Sequence, residues 1–320
     1  MRKYTSILTF VLTCTPWMFG FAAVDVITYT YKTVGNLEIK LDLHRTGDAE
    51  KLRPVVIWIH GGALINGHRA SVPERLAGPL LEAGCAIISI DYRLAPEAKL
   101  PEIIADLEDA FKWIRENGRD RLRVDPDRMV VTGGSAGGYL TLTAGYRVTP
   151  HPRGLVSFYG YGDLVGDWYS TPSPHARHTS DLSRDDAYKQ VSGPVVSDSR
   201  ERKGDGGAFY RYCRFHGIWP QAVSGWDPHK ESEKFSPYMP LKNISSDYPP
   251  TLLIHGTNDT DVPYENAVWM AEQFKKHGVK FELITIEGGE HGLYGGDSHK
   301  IEQAYDAAIA FIKLCLGVTL

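Results

Sequence analysis

The sequence predicts an α/β fold: an eight-stranded, mostly parallel sheet flanked by helices, with a cap inserted after strand six. Three observations carry that expectation. Apolar runs rich in β-branched residues recur, as in Val55-Val56-Ile57-Trp58-Ile59 and Ala86-Ile87-Ile88-Ser89-Ile90, and runs apolar on both faces suit central parallel strands. Segments of helical period separate the runs, which is the alternation of βαβ units. The stretch from about 163 to 240 breaks the alternation. It is rich in Ser, Pro, Asp and Gly yet carries Trp168, Tyr169, Phe209, Tyr212, Trp219 and Trp226.

The elements follow in order. Val26 to Tyr31 and Leu37 to Leu43 are the first two strands. In the second, Leu37, Ile39, Leu41 and Leu43 alternate with polar residues, so the pair reads as an antiparallel edge. After the third run, Ser71-Val72-Pro73-Glu74 reads as a capping box that starts a helix toward Ala83, and Gly84 ends it. From Glu102, the apolar residues Ile103, Leu107, Phe111 and Ile114 recur at helical spacing, and Gly118 follows them. Met129 to Thr132 is a strand, Tyr139 to Tyr146 a helix and Leu155 to Tyr159 the sixth strand. Beyond the insertion come strand Leu252 to Ile254, helix Glu265 to His277 closed by Gly278, strand Phe281 to Ile286, and a last helix marked by Tyr305, Ile309 and Ile312. A structureless loop as long as the insertion would be unusual in a compact domain. It reads as a cap of helices and loops. Its aromatics either line a pocket in part or form only a satellite core.

Arg2 and Lys3 precede an apolar stretch, Ile7 to Phe19, and then small residues to Ala23. This is the pattern of a cleavable export signal over 1–22, too short and interrupted to span a bilayer well. It leaves 23–320 as the folded domain and implies a secreted or periplasmic protein without stable membrane insertion. A formal net charge of −4 with no long basic run excludes a nucleic-acid partner. Beyond the signal the chain has Cys85, Cys213 and Cys315. Three thiols imply no disulfide framework, although a Cys213–Cys315 pair stays open.

Four strand ends carry chemistry. Gly133-Gly134-Ser135-Ala136-Gly137 links a strand run to a helical stretch. That is the context of a nucleophile elbow, in which residues two before and two after the serine need almost no side chain. Ile59-His60-Gly61-Gly62-Ala63 ends the third strand. Backbone N–H groups of Gly61, Gly62 and Ala136 are the candidate oxyanion donors, with Ala63 as a possible substitute; His60 reads as shaping the loop. His255-Gly256-Thr257-Asn258-Asp259 places an acid after a late strand, with Asp261 as its competitor. Gly288-Gly289-Glu290-His291-Gly292 places a histidine after the last strand. The order Ser135, Asp259, His291 is that of a Ser-Asp-His triad on an α/β-hydrolase sheet.

With those motifs and Asp91-Tyr92-Arg93-Leu94-Ala95-Pro96-Glu97, the chain from about Arg53 onward resembles α/β-hydrolases of the hormone-sensitive-lipase-like carboxylesterase and acetyl esterase group. The resemblance implies a Ser135-Asp259-His291 triad, an oxyanion hole at Gly61, Gly62 and Ala136, and no cofactor. Asp91, Arg93 and Glu97 read as scaffold. Two departures stand out: Ala63 replaces the third glycine common in the group, and the cap lies between the sixth and seventh strands. The cap pattern also resembles secreted carbohydrate esterases and the hydrolase domain of prolyl peptidases. The expected activity is hydrolysis of carboxylic esters of short acyl groups, such as acetyl or feruloyl groups on carbohydrate. The partner is then a small-molecule or carbohydrate-linked ester. The rivals are an exported serine peptidase or amidase, and an inactive hydrolase fold used for binding. His175 and His178 have no acidic or cysteine partner at metal-site spacing, so no metal is expected. Asn243-Ile244-Ser245 is a glycosylation acceptor in a eukaryotic secretory setting.

Overall fold

The computed structural model describes residues 23–48 and 50–319. The signal segment expected over 1–22 lies outside the described residues. Eight strands form one sheet in the order β1-β2-β4-β3-β5-β6-β7-β8. They are β1 Val24–Val34, β2 Leu37–Thr46, β3 Arg53–Ile59, β4 Ala86–Ile90, β5 Val124–Gly134, β6 Gly154–Phe158, β7 Thr251–Gly256 and β8 Phe281–Ile286. β1 pairs antiparallel with β2, and β2 with β4; the pairs from β4 through β8 are parallel. The mostly parallel sheet with an antiparallel edge is the architecture expected from the runs.

Side chains of successive strand residues point to opposite faces, and the sheet uses both. Val55, Ile57 and Ile59 join one buried cluster with helices α2 (Leu100–Asn117), α3 (Ala136–Arg147) and α8 (Glu265–His277). Val56 and Trp58 join another with α1 (Glu74–Glu82) and α9 (Ser298–Leu316). This double cover is why the central runs are apolar at every position.

Three local details differ from the sequence reading. The Ser71 capping box does not form: the residue before α1 is Pro73, with no side-chain cap. Proline presets φ, and the helix starts at Glu74, three residues past the serine. α2 begins at Leu100, where the Lys99 N–H donates to Glu102 Oε2 at 2.8 Å. Gly118 follows that helix but makes no left-handed turn: its φ is −58°, a π-helical turn continues from it to Leu122, and the left-handed residue is Arg123. Cys213 and Cys315 are free thiols, one in the cap and one on α9.

Between β6 and β7 lie α4 (Asp167–Ser170), α5 (Arg184–Lys189), α6 (Gly206–Phe215) and α7 (Trp219–Ser224). Tyr169 stacks on Trp219 at 3.9 Å, and both are buried with Phe209 and Tyr212 in the cluster that holds α2 and α3. Most cap aromatics thus extend the main core. Trp168 also lines a cavity of about 260 Å³ with His175, Arg214 and Thr260. The scaffold carboxylates are paired. Asp91 takes Arg69 Nη1 at 2.6 Å, Arg93 Nε donates to Asp106 at 2.7 Å, and Glu97 holds Arg202 of the cap at 2.8 Å.

The parallel register brings Ile59, Gly133, Ser157, Leu253 and Leu283 into one row across the sheet. The carboxyl ends of β3, β5, β7 and β8 therefore open on the same edge, where open α/β sheets bind ligands.

Candidate active site

Ser135 is the single residue between β5 and α3, with φ 58° and ψ −121°. That is a strained backbone for a residue with a Cβ. A Cβ on Gly133 would lie 2.5 Å from the Gly137 oxygen, and one on Gly137 would collide with the Ile59 oxygen of β3. The turn folds back on itself and against β3, so both flanking positions must be glycine. The first N–H groups of α3, Ala136 among them, have no partner within the helix and sit at its positive end.

The loop after β3 passes over this turn. A Cβ on Gly61 would lie 3.2 Å from Ser135 Cβ. The Gly61 carbonyl accepts from His60 Nδ1 at 2.8 Å, which turns the Gly62 N–H of the same trans peptide the opposite way. Among the described residues, the N–H groups of Gly61, Gly62 and Ala63 have no acceptor in the chain. His60 is buried and stacked on Tyr92 at 4.3 Å. Burial lowers its pKa to about 4, so it stays neutral and shapes the loop.

His291 stands in the turn after β8. Its Nε2 is 3.0 Å from Ser135 Oγ and its Nδ1 is 2.8 Å from Asp259 Oδ2. With Nδ1 protonated and donating to Asp259, Nε2 accepts from the serine hydroxyl. Asp259 is fully engaged. Oδ1 accepts the N–H groups of Asp261 at 2.9 Å and Val262 at 2.8 Å, and Oδ2 also accepts from His255 at 3.2 Å. Burial opposes the Asp259 charge, but the His255 and His291 hydrogen bonds outweigh it and lower the pKa to about 2. Burial also opposes a charged His291. The Asp259 hydrogen bond and the charges of Asp261 and Asp259 prevail and hold its pKa above the ordinary value.

The structure thus brings Ser135, Asp259 and His291 into one hydrogen-bonded line beside Gly61, Gly62 and Ala136. Asp261 is placed elsewhere on the same histidine, with Oδ2 3.6 Å from His291 Nε2. Sequence reasoning left His255 without a role. Its signal is a histidine ending an apolar strand, four residues before Asp259. His178 donates to Asp261 at 2.9 Å and contacts Ser173 Oγ at 2.7 Å, which gives it a role other than metal binding.

Residues 56–295 match the family described as alpha/beta hydrolase fold. The chain belongs to the alpha/beta-hydrolase fold family. This is the superfamily its motifs resemble. Among solved structures it is similar to a protein of unknown function from Staphylococcus aureus, at TM-score 0.73 and 22% identity over 91% of this chain and 99% of that one. It is similar to an acetyl ester-xyloside bifunctional hydrolase from Caldicellulosiruptor lactoaceticus, at TM-score 0.66 and 20% identity over 92% and 97%. It is also similar to a truncated carbohydrate esterase from gut microbiota, at TM-score 0.63 and 21% identity over 91% and 96%. Among curated proteins it is 28% identical over 321 residues to a non-reducing polyketide synthase of Aspergillus calidoustus, covering 84% of this chain and 13% of that protein. A second such synthase, from Preussia isomera, is 30% identical over 299 residues, covering 83% and 14%. The chain thus spans a small fraction of the length of these curated relatives.

Proposed function

We propose that the chain is a serine carboxylic-ester hydrolase acting on short acyl groups, acetyl or feruloyl groups on carbohydrate among them. The observation that carries this is the continuous line from Ser135 Oγ through His291 to Asp259. Ser135 Oγ attacks the ester carbonyl as its proton passes to His291 Nε2. The N–H groups of Gly61, Gly62 and Ala136 stabilise the oxyanion. The imidazolium then protonates the departing alcohol, leaving an acyl-serine, and water repeats the sequence to free the acid. Asp259 keeps Nδ1 protonated throughout. A short acyl group is supported by the limited access: the His291 side chain is only 13% exposed, and Ala63 stands where the group the chain resembles often has a third glycine. The carbohydrate alcohol is supported by the names of two structural relatives.

The test is a series of nitrophenyl esters from acetyl to decanoyl, run beside acetylated xylan with a Ser135→Ala control. Turnover should be highest on acetyl and absent in the variant. Full activity of Ser135→Ala removes the mechanism, whereas preference for decanoyl without acetate release from xylan removes only the substrate reading. We also propose export through the first 22 residues. N-terminal sequencing of protein from the native host should begin at Ala23 or Val24, and retention of Met1 would overturn it.

A further inference from the structure

We infer that Asp261 is a second carboxylate of the site, aimed by the cap, which stabilises the charged form of His291 from the Nε2 side. The inference rests on the reading of His291 as the base and goes beyond it. The two oxygens of Asp261 face different things. Oδ1 is saturated by three cap donors: His178 Nε2 at 2.9 Å, Tyr210 hydroxyl at 2.5 Å and Arg214 Nη1 at 2.8 Å. Arg214 also grips the Asp261 carbonyl at 2.8 Å. Oδ2 faces the site, 3.6 Å from His291 Nε2 and 3.8 Å from Arg177. At 3.6 Å the carboxylate is too far to take the Nε2 proton as a hydrogen bond, yet close enough to act through space. The proton stays available for the serine and the leaving group.

A cap anchor alone would need no such aim. The Asp261 N–H donates to Asp259 Oδ1 at 2.9 Å while its carboxylate faces the other ring nitrogen. One residue thus orients the triad acid and flanks the base. The charged and titratable groups facing His291 are Asp259, Asp261 and Glu290 on loops, Arg177 from the cap, and Ser135 and Tyr159 just past the ends of β5 and β6. Those facing Asp261 are His178, Arg177, Tyr210, Arg214 and His291. Burial opposes its charge, but the His178 hydrogen bond, the charges of His291 and Arg214 and the Tyr210 hydrogen bond keep it ionised.

Removing this charge leaves the imidazolium less stabilised, so His291 must titrate at lower pH. The experiment is an NMR titration of the His291 ring, assigned against His291→Gln, in the wild type, Asp261→Asn and Asp261→Glu. The midpoint should fall by on the order of one pH unit in Asp261→Asn and return in Asp261→Glu. The acid limb of kcat/KM on nitrophenyl acetate should move with it. A midpoint unmoved in Asp261→Asn overturns the inference and leaves Asp261 an anchor of the cap. A midpoint that moves without the acid limb upholds the placement and instead refutes His291 as the base. Should Asp261→Asn fail to fold because Arg214 is left as an unpaired buried charge, Asp261→Asn/Arg214→Gln removes both charges. A smaller fall is then expected, a lower bound on the Asp261 contribution, because losing the Arg214 cation by itself raises the midpoint.

Discussion

Replacing Asp259 by asparagine tests the proposed line of proton transfer at its least substitutable point. Each carboxylate oxygen receives two N–H groups: Asp261 and Val262 on Oδ1, His291 and His255 on Oδ2. Whichever way the amide turns, its NH₂ meets two donors. Facing the loop, it opposes two backbone N–H groups that cannot invert. Facing the histidines, it forces His291 to accept at Nδ1, so Nε2 carries the proton and no base faces Ser135. His255 is also held by its bond to the Val262 carbonyl at 2.9 Å, so one buried donor stays unsatisfied at about 1–3 kcal/mol. The rate should fall by about 10⁴, or roughly 5.4 kcal/mol of barrier. Stability should fall too. Lowering the Asp259 pKa from 3.8 to about 2 contributes on the order of 2 kcal/mol at neutral pH. The sign follows from the depressed pKa: the contribution is complete above the unfolded value and is lost as pH falls through the folded one. The assay is kcat on nitrophenyl acetate, with urea unfolding at neutral pH and at about pH 3. Turnover within tenfold of wild type refutes the assignment, and a larger loss in Asp261→Asn would exchange the roles of the two acids.

Because the His291 pKa is raised, chiefly against burial by the Asp259 hydrogen bond and the charge of Asp261, the acid limb of kcat/KM should lie above the ordinary imidazole value of about 6.5. Activity rises with pH through that limb; a midpoint at or below the ordinary value contradicts it. Trp219→Phe removes the indole N–H that donates to the buried Ala63 carbonyl at 2.9 Å. It should cost about 1–3 kcal/mol in urea unfolding and lower kcat more than it changes KM; unchanged kcat would detach the cap from the oxyanion loop.

The centre of the sheet is legible because β3, β4, β6 and β7 are short, apolar and separated by other segments, so each run reports its own burial. The elbow is legible for a similar reason: the collisions that demand Gly133 and Gly137 arise within a few residues or against the adjacent strand. Ser71 misleads because Pro73 sets the backbone before a side-chain cap forms. The relation of Asp261 to the site is not legible, since its partners His178 and Arg214 lie 83 and 47 residues away and carry no motif. Nor does composition tell buried cap aromatics from exposed ones. Tyr169 and Trp219 bury each other, whereas Phe215 is 39% exposed.

The cap is fastened at the loops that complete the site. The elbow supports itself through sterics, but the loop after β3 places three consecutive residues at positive φ: Gly62 at 102°, Ala63 at 55° and Leu64 at 62°. Such backbone persists only where its surroundings hold it. Trp219 binds the Ala63 carbonyl, Arg202 binds the Ile65 carbonyl at 2.7 Å, and the Ala95 N–H binds the Leu64 carbonyl at 2.8 Å. Two of those three restraints come from the cap. On the opposite side of Ser135, the cap donors to Asp261 hold the loop that carries Asp259. The insertion therefore stands in mechanical contact with both the loop of the proposed oxyanion donors and the loop of the proposed acid. A substitution at these cap joints should reach the rate through backbone N–H placement and carboxylate aim, without touching any of the three residues proposed to act on the ester.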